Sequence, residues 1–390
     1  MTDWPSRLLP LARDLPPSGI RRFFDLAATM EDVISLGVGE PDFVTPWHIR
    51  EAGLYALERG MTAYTANAGL PVLRQGIARY LEGRFNLRYQ VKGELLVSVG
   101  GSEAIDLALR VLTRPGDRVL IPEPSYVAYT PLVRLAGGEP VHVPLRADAG
   151  FRLAPSDLER AAGASGARLM IWCNPNNPTG AVVDRQQLTA LAEVVLRHDL
   201  VVISDEIYAE IVYGGDYCSL AQIPGMRERT VLVGGFSKAF AMTGWRLGYA
   251  AGPEAVIRTM LKVHQYAMLC APVMAQVAAV EAIERGWQDV AEMVEEYGRR
   301  RRFIVHALRD MGLDCSDPGG AFYAFPDIRT TGLTSAQFAE DLLVRAKVAV
   351  VPGSVFGPSG EGFVRCSYAA AINQLERAMT RLRDFLKAGG

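Results

Sequence analysis

VLVGGFSKAFAMTGWRLG, residues 231–248, opens on a short apolar run and turns at two glycines into a lysine. Val231–Val233 has the composition of a strand buried on both faces. Gly234 and Gly235 then lead straight to Phe236, Ser237 and Lys238, a poor place for a solvated lysine. Burial and nearby positive charge lower an amine's pKa and make it nucleophilic towards a carbonyl. Arg246 follows closely and offers a planar, bidentate fork of the kind that clamps a phosphate.

The same strand pattern recurs on either side. Leu95–Val99, Arg118–Ile121, Leu169–Cys173 and Val201–Ser204 read as further short strands, and Ser102–Leu112, Tyr126–Ala136 and Arg185–His198 as helices between them. Apolar strands separated by helices predict an α/β fold on a mostly parallel sheet. After Gly286 the rhythm changes. A long charged helix from Trp287 to Met311 leads into Ala321–Phe325, a helix over Ser335–Ala346, strands at Val348–Val351 and Phe363–Ser367, and a last helix. The expected division is an N-terminal arm and part of a small domain over 1–47, a large domain over 48–289, and a small α+β domain over 290–390. The Pro-rich opening, Trp4 to Gly19, reads as an arm.

At 390 residues and 42.5 kDa the chain is too long for one compact core, so two domains are expected. A net charge of −2 and a pI near 6.3 give nucleic acid or an acidic membrane nothing to bind. Arg299–Arg302 reads as an exposed helix face balanced by Glu292, Glu295 and Glu296. The longest apolar run, Tyr266–Ala275, falls short of the ~18 residues that a membrane-spanning helix needs. The opening residues lack the apolar core of a signal peptide. Five scattered cysteines form no CxxC or Cys/His cluster, which speaks against a disulfide framework or a metal site and for a cytoplasmic home.

Four more motifs carry chemistry. Gly100-Gly101-Ser102-Glu103 lies at a strand-to-helix junction, where free backbone N–H groups attract an anion; helix capping by Ser102 is the plainer alternative. Asn174-Pro175-Asn176-Asn177-Pro178-Thr179-Gly180 follows a buried strand with a rigid polar turn, at the end of the sheet where such folds bind ligands. Asp205, in Ser204-Asp205-Glu206-Ile207-Tyr208, closes another strand. It reads as a metal ligand, a helix N-cap, or a carboxylate that keeps a pyridine nitrogen protonated. At ~4 Å and an effective dielectric of ~20 such a pair is worth about 4 kcal/mol, or roughly three pKa units. Arg365, in Phe363–Ser367, is either a strand-edge charge or a grip for a substrate carboxylate. A reactive amine, a phosphate clamp and a pyridine partner together are what pyridoxal 5'-phosphate requires.

With LGVGEPDF (Leu36–Phe43), TAYTANAGLPVLR (Thr62–Arg74), GAFYAFP (Gly320–Pro326), VVPGSVFG and VRCSY, these motifs form an ordered set. From Ser18-Gly19-Ile20-Arg21 to its end, the chain resembles the class I and II, fold-type I aminotransferases, in the branch of the bacterial aspartate, aromatic and N-acetyl-diaminopimelate enzymes. The resemblance implies a seven-stranded mixed sheet with a small domain, in a homodimer with shared active sites. It implies that Lys238 forms the Schiff base and shuttles the proton, and that Asp205 pairs with the ring nitrogen. Tyr208 and Asn177 would bond the ring oxygen, and Tyr126 would stack on the ring in place of the tryptophan of other branches. Gly101, Ser102, Glu103 through its backbone, Ser237 and Arg246 would hold the phosphate, reached by Tyr64 from the neighbouring subunit. Gly39, Asn177 and Arg365 would bind the substrate carboxylate. Gly235 stands where some branches place a second phosphate-binding hydroxyl, and Ser102 follows Gly101 where aspartate-preferring relatives carry a lysine.

The expected reaction moves an amino group from an L-amino acid to a 2-oxo acid such as 2-oxoglutarate, by ping-pong kinetics. A carbon–sulfur β-lyase on the same fold is the alternative. A non-catalytic effector domain would need a DNA-binding module, for which the arm before Gly19 is too short. Selectivity for the donor is expected from arm and loop residues such as Ile20, Tyr64 and the region near Tyr266.

Overall fold

A computed structural model describes residues 3–16, 19 and 30–389. Ser18, Ile20 and Arg21 of the family likeness, and with them the specificity role expected of Ile20, lie outside the described residues. In the arm, the helical turns Trp4–Arg7 and Pro10–Arg13 bury no side chain.

Strand β1 (Ile34–Ser35) precedes the main sheet. Seven strands build that sheet: β2 (Leu95–Ser98), β3 (Arg118–Glu123), β4 (Glu139–Pro144), β5 (Leu169–Cys173), β6 (Val201–Asp205), β7 (Thr230–Gly235) and β8 (Gly248–Ala251). Their order is β2-β8-β7-β6-β5-β3-β4, and only β8 runs against the rest. The mixed α/β sheet is therefore the expected one. Alternation along each strand sends side chains to opposite faces. Val119, Ile121, Ile171, Ile203, Val231 and Val233 pack with the helix Gly100–Leu112. Leu120, Met170, Trp172 and Val202 pack with the helix Arg185–Arg197 on the other face. Each such side chain, taken fully out of water, contributes about 1.5–3 kcal/mol.

The later strands are β9 (Tyr323–Ala324), β10 (Val348–Ala349), β11 (Val351–Pro352) and β12 (Val364–Ser367). β11, β12 and β9 form an antiparallel sheet, while β10 pairs in parallel with β1. The single strand expected over Val348–Val351 thus divides at Val350 between two sheets. The helix Ser335–Ala346 falls where expected, opened by a capping box between Thr334 and Gln337.

The Arg299–Arg302 run departs from expectation. Arg299 is exposed and paired with Glu295 and Glu296, as read. Arg300 is buried: it bonds Asp42 at 2.7 Å and Glu296 at 2.9 Å, between the rings of Phe43 and Tyr297. Arg301 is half-buried over Tyr213 and donates to the Pro318 carbonyl. One face of this charged helix therefore turns inward, against the loop that carries Gly39.

Candidate active site

The carboxyl ends of β5, β6 and β7 lie side by side, with that of β2 at the same edge beyond β8, because these four strands run in one direction. Open α/β sheets bind ligands at that edge. A cavity of about 390 Å³ sits there. Of the residues expected to act, Gly39, Gly101, Ser102, Tyr126, Asn177, Asp205, Tyr208, Ser237, Lys238, Arg246 and Arg365 all line it. Tyr64 and Glu103 do not.

Lys238 reaches the cavity from the turn after β7. Its Nζ donates to the Gly39 carbonyl at 2.6 Å. Burial and the Arg365 charge push its pKa down to about 8, against the pull of Glu40. Roughly a tenth of Lys238 is therefore neutral, nucleophilic amine at pH 7, hundreds of times more than an unshifted lysine would offer.

Asp205 ends β6 and opens no helix, so the N-cap reading fails. No cluster of three or more metal-ligating side chains occurs among the described residues. The Asp205 carboxylate accepts a 2.6 Å hydrogen bond from the Tyr129 hydroxyl and a 3.2 Å bond from the Ile207 N–H. Burial raises its pKa, and these donors and Lys238 oppose the rise. An acid so placed favours a cation or a protonated ring nitrogen beside it.

The helix Gly100–Leu112 begins at Gly100 with no side-chain cap, so Ser102 is not its cap. Its first N–H groups are left for an anion. The Glu103 side chain turns inward instead, to the Val99 N–H and to buried His264 at 2.7 Å. Arg246 donates to the Thr243 carbonyl. Gly100 has φ of +79°, and a Cβ there would meet the Arg246 guanidinium at 2.8 Å, so glycine keeps the anion corner open. A Cβ at Gly235 would strike Ile207 Cδ1 at 2.8 Å, which accounts for the missing hydroxyl.

Arg365 lies buried in β12. It donates to Asn177 Oδ1 at 2.9 Å and to the Gly37 carbonyl at 2.6 Å, while its Nε has no partner among the described residues. The strand-edge reading is overturned: a buried guanidinium held by neutral acceptors is ready for an anion. The three cations share the cavity with Asp205 and with Glu40, which accepts from Thr243 at its rim.

Residues 31–382 match the family described as aminotransferase class I and II. The chain belongs to the class I and II aminotransferases. YugH of Bacillus subtilis is 56% identical over 98% of each chain. An aspartate aminotransferase of Pyrococcus abyssi is 47% identical, over 95% of this chain and 96% of its own. The crystal structure of an aromatic aminotransferase from Pyrococcus horikoshii superposes with a TM-score of 0.90 at 46% identity, over 95% of this chain and 99% of that one. The aminotransferase is pyridoxal-phosphate dependent and transfers amino groups between amino and 2-oxo acids.

The cavity fits that cofactor by its donors. It has an amine for the aldehyde, an acid for the ring nitrogen, an anion corner for the phosphate, and a guanidinium with one donor unused. Among the residues that sequence reasoning missed are three that line the cavity and one behind it. Tyr129 steadies Asp205, and its only signal was its place three residues beyond Tyr126, where the helix expected from Tyr126 in fact begins. Glu40 and Tyr323 lay within quoted motifs without a role. Cys173 also lines the cavity, its thiol pushed up to about 12 by burial and Asp205, and so unreactive.

Proposed function

We propose that this aminotransferase passes the amino group of an L-amino acid to 2-oxoglutarate or a similar 2-oxo acid, with the residue roles that follow. The observation carrying the reading is the pairing, in one cavity, of a buried amine of depressed pKa with a buried acid and an arginine that has a free donor. Pyridoxal phosphate supplies an aldehyde that accepts the amino group and a ring that takes up the electrons of the Cα–H bond. Asp205, steadied by Tyr129, holds the proton on the ring nitrogen. Arg365 binds the α-carboxylate, with Gly39 and Asn177 beside it, and so orients the Cα–H bond. Lys238 Nζ lifts the α-proton and carries it. Asn177 offers its Oδ1 to Arg365 and keeps its NH₂ for the ring oxygen, which Tyr208 also faces. Tyr126 covers the ring face. Gly101, Ser102, the Glu103 N–H, Ser237 and Arg246 hold the phosphate.

The enzyme works as a homodimer in this reading, with Tyr64 completing the partner's site. Tyr64 is 83% exposed and away from its own cavity. Tyr266 and Met268 are exposed too, on a segment joined to that of Tyr64 by the Asn67–Leu269 bond, and Val44, Trp47, Leu54 and Tyr55 are further exposed apolar side chains. Exposed apolar surface of this extent marks an interface. Residues 48–289 would be the cofactor-binding domain and 290–390, with 1–47, the smaller one; the β1–β10 pairing supports that grouping. Five cysteines without disulfides accord with a cytoplasmic protein. No helix among the described residues is long and apolar enough to cross a membrane.

Incubation with an amino acid alone is the test. A transaminase releases one 2-oxo acid per site and stops until a second 2-oxo acid is added. Continuous release of pyruvate from a β-substituted amino acid would overturn the reading in favour of a lyase.

A further inference from the structure

Tyr323 is fully buried in β9, and its neighbours in the cavity are those already given the central roles. Its hydroxyl lies 2.7 Å from that of Tyr208. Its ring lies 4.4 Å from Cζ of Arg365, in cation–π contact. Its backbone pairs with Ser367, two residues beyond Arg365, so the sheet fixes both side chains together. Gly39 leaves room for the hydroxyl, since a Cβ there would fall 2.7 Å from it.

A donor count then constrains the pair. Each phenol has one proton, and the bond between them uses one of the two. If Tyr208 gives its proton to the ring oxygen, Tyr323 must be the donor to Tyr208. We propose that Tyr323 is a positioning residue, whose hydroxyl donates to Tyr208 Oη and so directs the single Tyr208 proton at the cofactor's ring oxygen, while its ring seats Arg365. The proposal rests on the role given to Tyr208 above. Arg365 favours this direction, because a cation over the Tyr323 ring makes that phenol the more acidic donor. Burial raises the Tyr323 pKa, and Arg365 and Tyr208 work against the rise. The other titratable groups facing the two phenols are Lys238, Cys173 and Tyr126.

Chained hydrogen bonds strengthen one another. A phenol that accepts a bond from Tyr323 donates more strongly to an anionic ring oxygen. That withdraws electron density from the oxygen and loosens its hold on the neighbouring Schiff-base proton. Removing the Tyr323 hydroxyl should tighten the hold.

The experiment titrates the visible absorbance of the substrate-free, cofactor-loaded enzyme against pH. Tyr323→Phe keeps the ring under Arg365, and its midpoint should rise by about half a unit or more. Tyr208→Phe should raise the midpoint further, and adding Tyr323→Phe to it should change nothing more. Thermal midpoints of the cofactor-free proteins report folding. If Tyr323→Phe does not fold, Gly39→Ala, which crowds the same hydroxyl, should show the same upward shift. An unmoved midpoint in Tyr323→Phe beside a clear shift in Tyr208→Phe overturns the proposal alone, as does a double variant with additive shifts. No shift in Tyr208→Phe overturns the proposal together with the Tyr208 role. Absence of the visible band in the unaltered enzyme would strike at the cofactor site itself.

Discussion

Replacing Asp205 with Asn keeps the shape of the side chain and removes its charge. Tyr129 can still donate to the amide oxygen, so the fold and the phosphate contacts should persist. The ring nitrogen loses a partner worth about 4 kcal/mol, so kcat should fall by about three orders of magnitude with cofactor still bound. Stopped-flow absorbance of the half-reaction checks this, and near-normal rates would remove the acid from the mechanism. Lys238 sets a second expectation. Its pKa is lowered to about 8 from 10.5 by burial and Arg365, so the neutral amine dominates above pH 8. Capture of pyridoxal phosphate by the cofactor-free protein should therefore rise with pH and level off beyond about 8. The unfolded chain binds the extra proton between pH 8 and 10.5, so this group costs stability fully below 8, and the cost disappears as pH climbs to 10.5. A capture profile still rising at pH 10 would show an ordinary lysine. These charged residues were legible because a charge that ends an apolar run has few structural explanations. Tyr129 and Tyr323 were not, since a buried phenol reads as core until its hydroxyl's partner is known.

At the level of elements, the helix Trp287–Asp310 shows what a charge pattern hides. Arg299 and Arg300 are neighbours in sequence, yet one is solvated and the other locked between Asp42, Glu296 and two rings. A turn of 100° per residue separates them. Removing one partner of a buried ion pair leaves the other without compensation, at about 3 kcal/mol or more. Arg300→Leu should lower stability in urea by about that amount, whereas Arg299→Leu should stay within about 0.5 kcal/mol. Equal losses would return the whole run to the surface. Arg300→Leu should also raise KM, because the loop holding Asp42 carries the Gly37 carbonyl that steadies Arg365. The strands follow the same logic. β5, β6 and β7 are apolar on both faces and were readable from composition alone. β4 and β8 were missed. The first is an edge strand with two prolines and polar positions, and the second, Gly-Tyr-Ala-Ala, is strand only because β2 and β7 flank it.

The whole molecule raises the question of where one active site ends. Tyr64 belongs to the ordered family pattern, yet none of the described residues of its own chain bonds its hydroxyl, and its side chain stands 83% exposed. If a second copy receives it, a lesion at Tyr64 and a lesion at Lys238 fall in different sites of a mixed dimer. Pair a Tyr64→Ala chain with a Lys238→Ala chain. The intact Lys238 of the first then receives the intact Tyr64 of the second, and one site of the pair is whole. The opposite site carries both lesions. Random pairing makes half the dimers mixed, so a refolded equimolar mixture should recover about a quarter of the unaltered activity per site. Dimers of Lys238→Ala alone should have none, and those of Tyr64→Ala should bind the phosphate weakly. If Tyr64 served its own chain instead, every intact lysine would stay beside an altered Tyr64, and mixing would restore nothing. The recovered fraction thus measures directly whether the cavity is finished within one chain or across two.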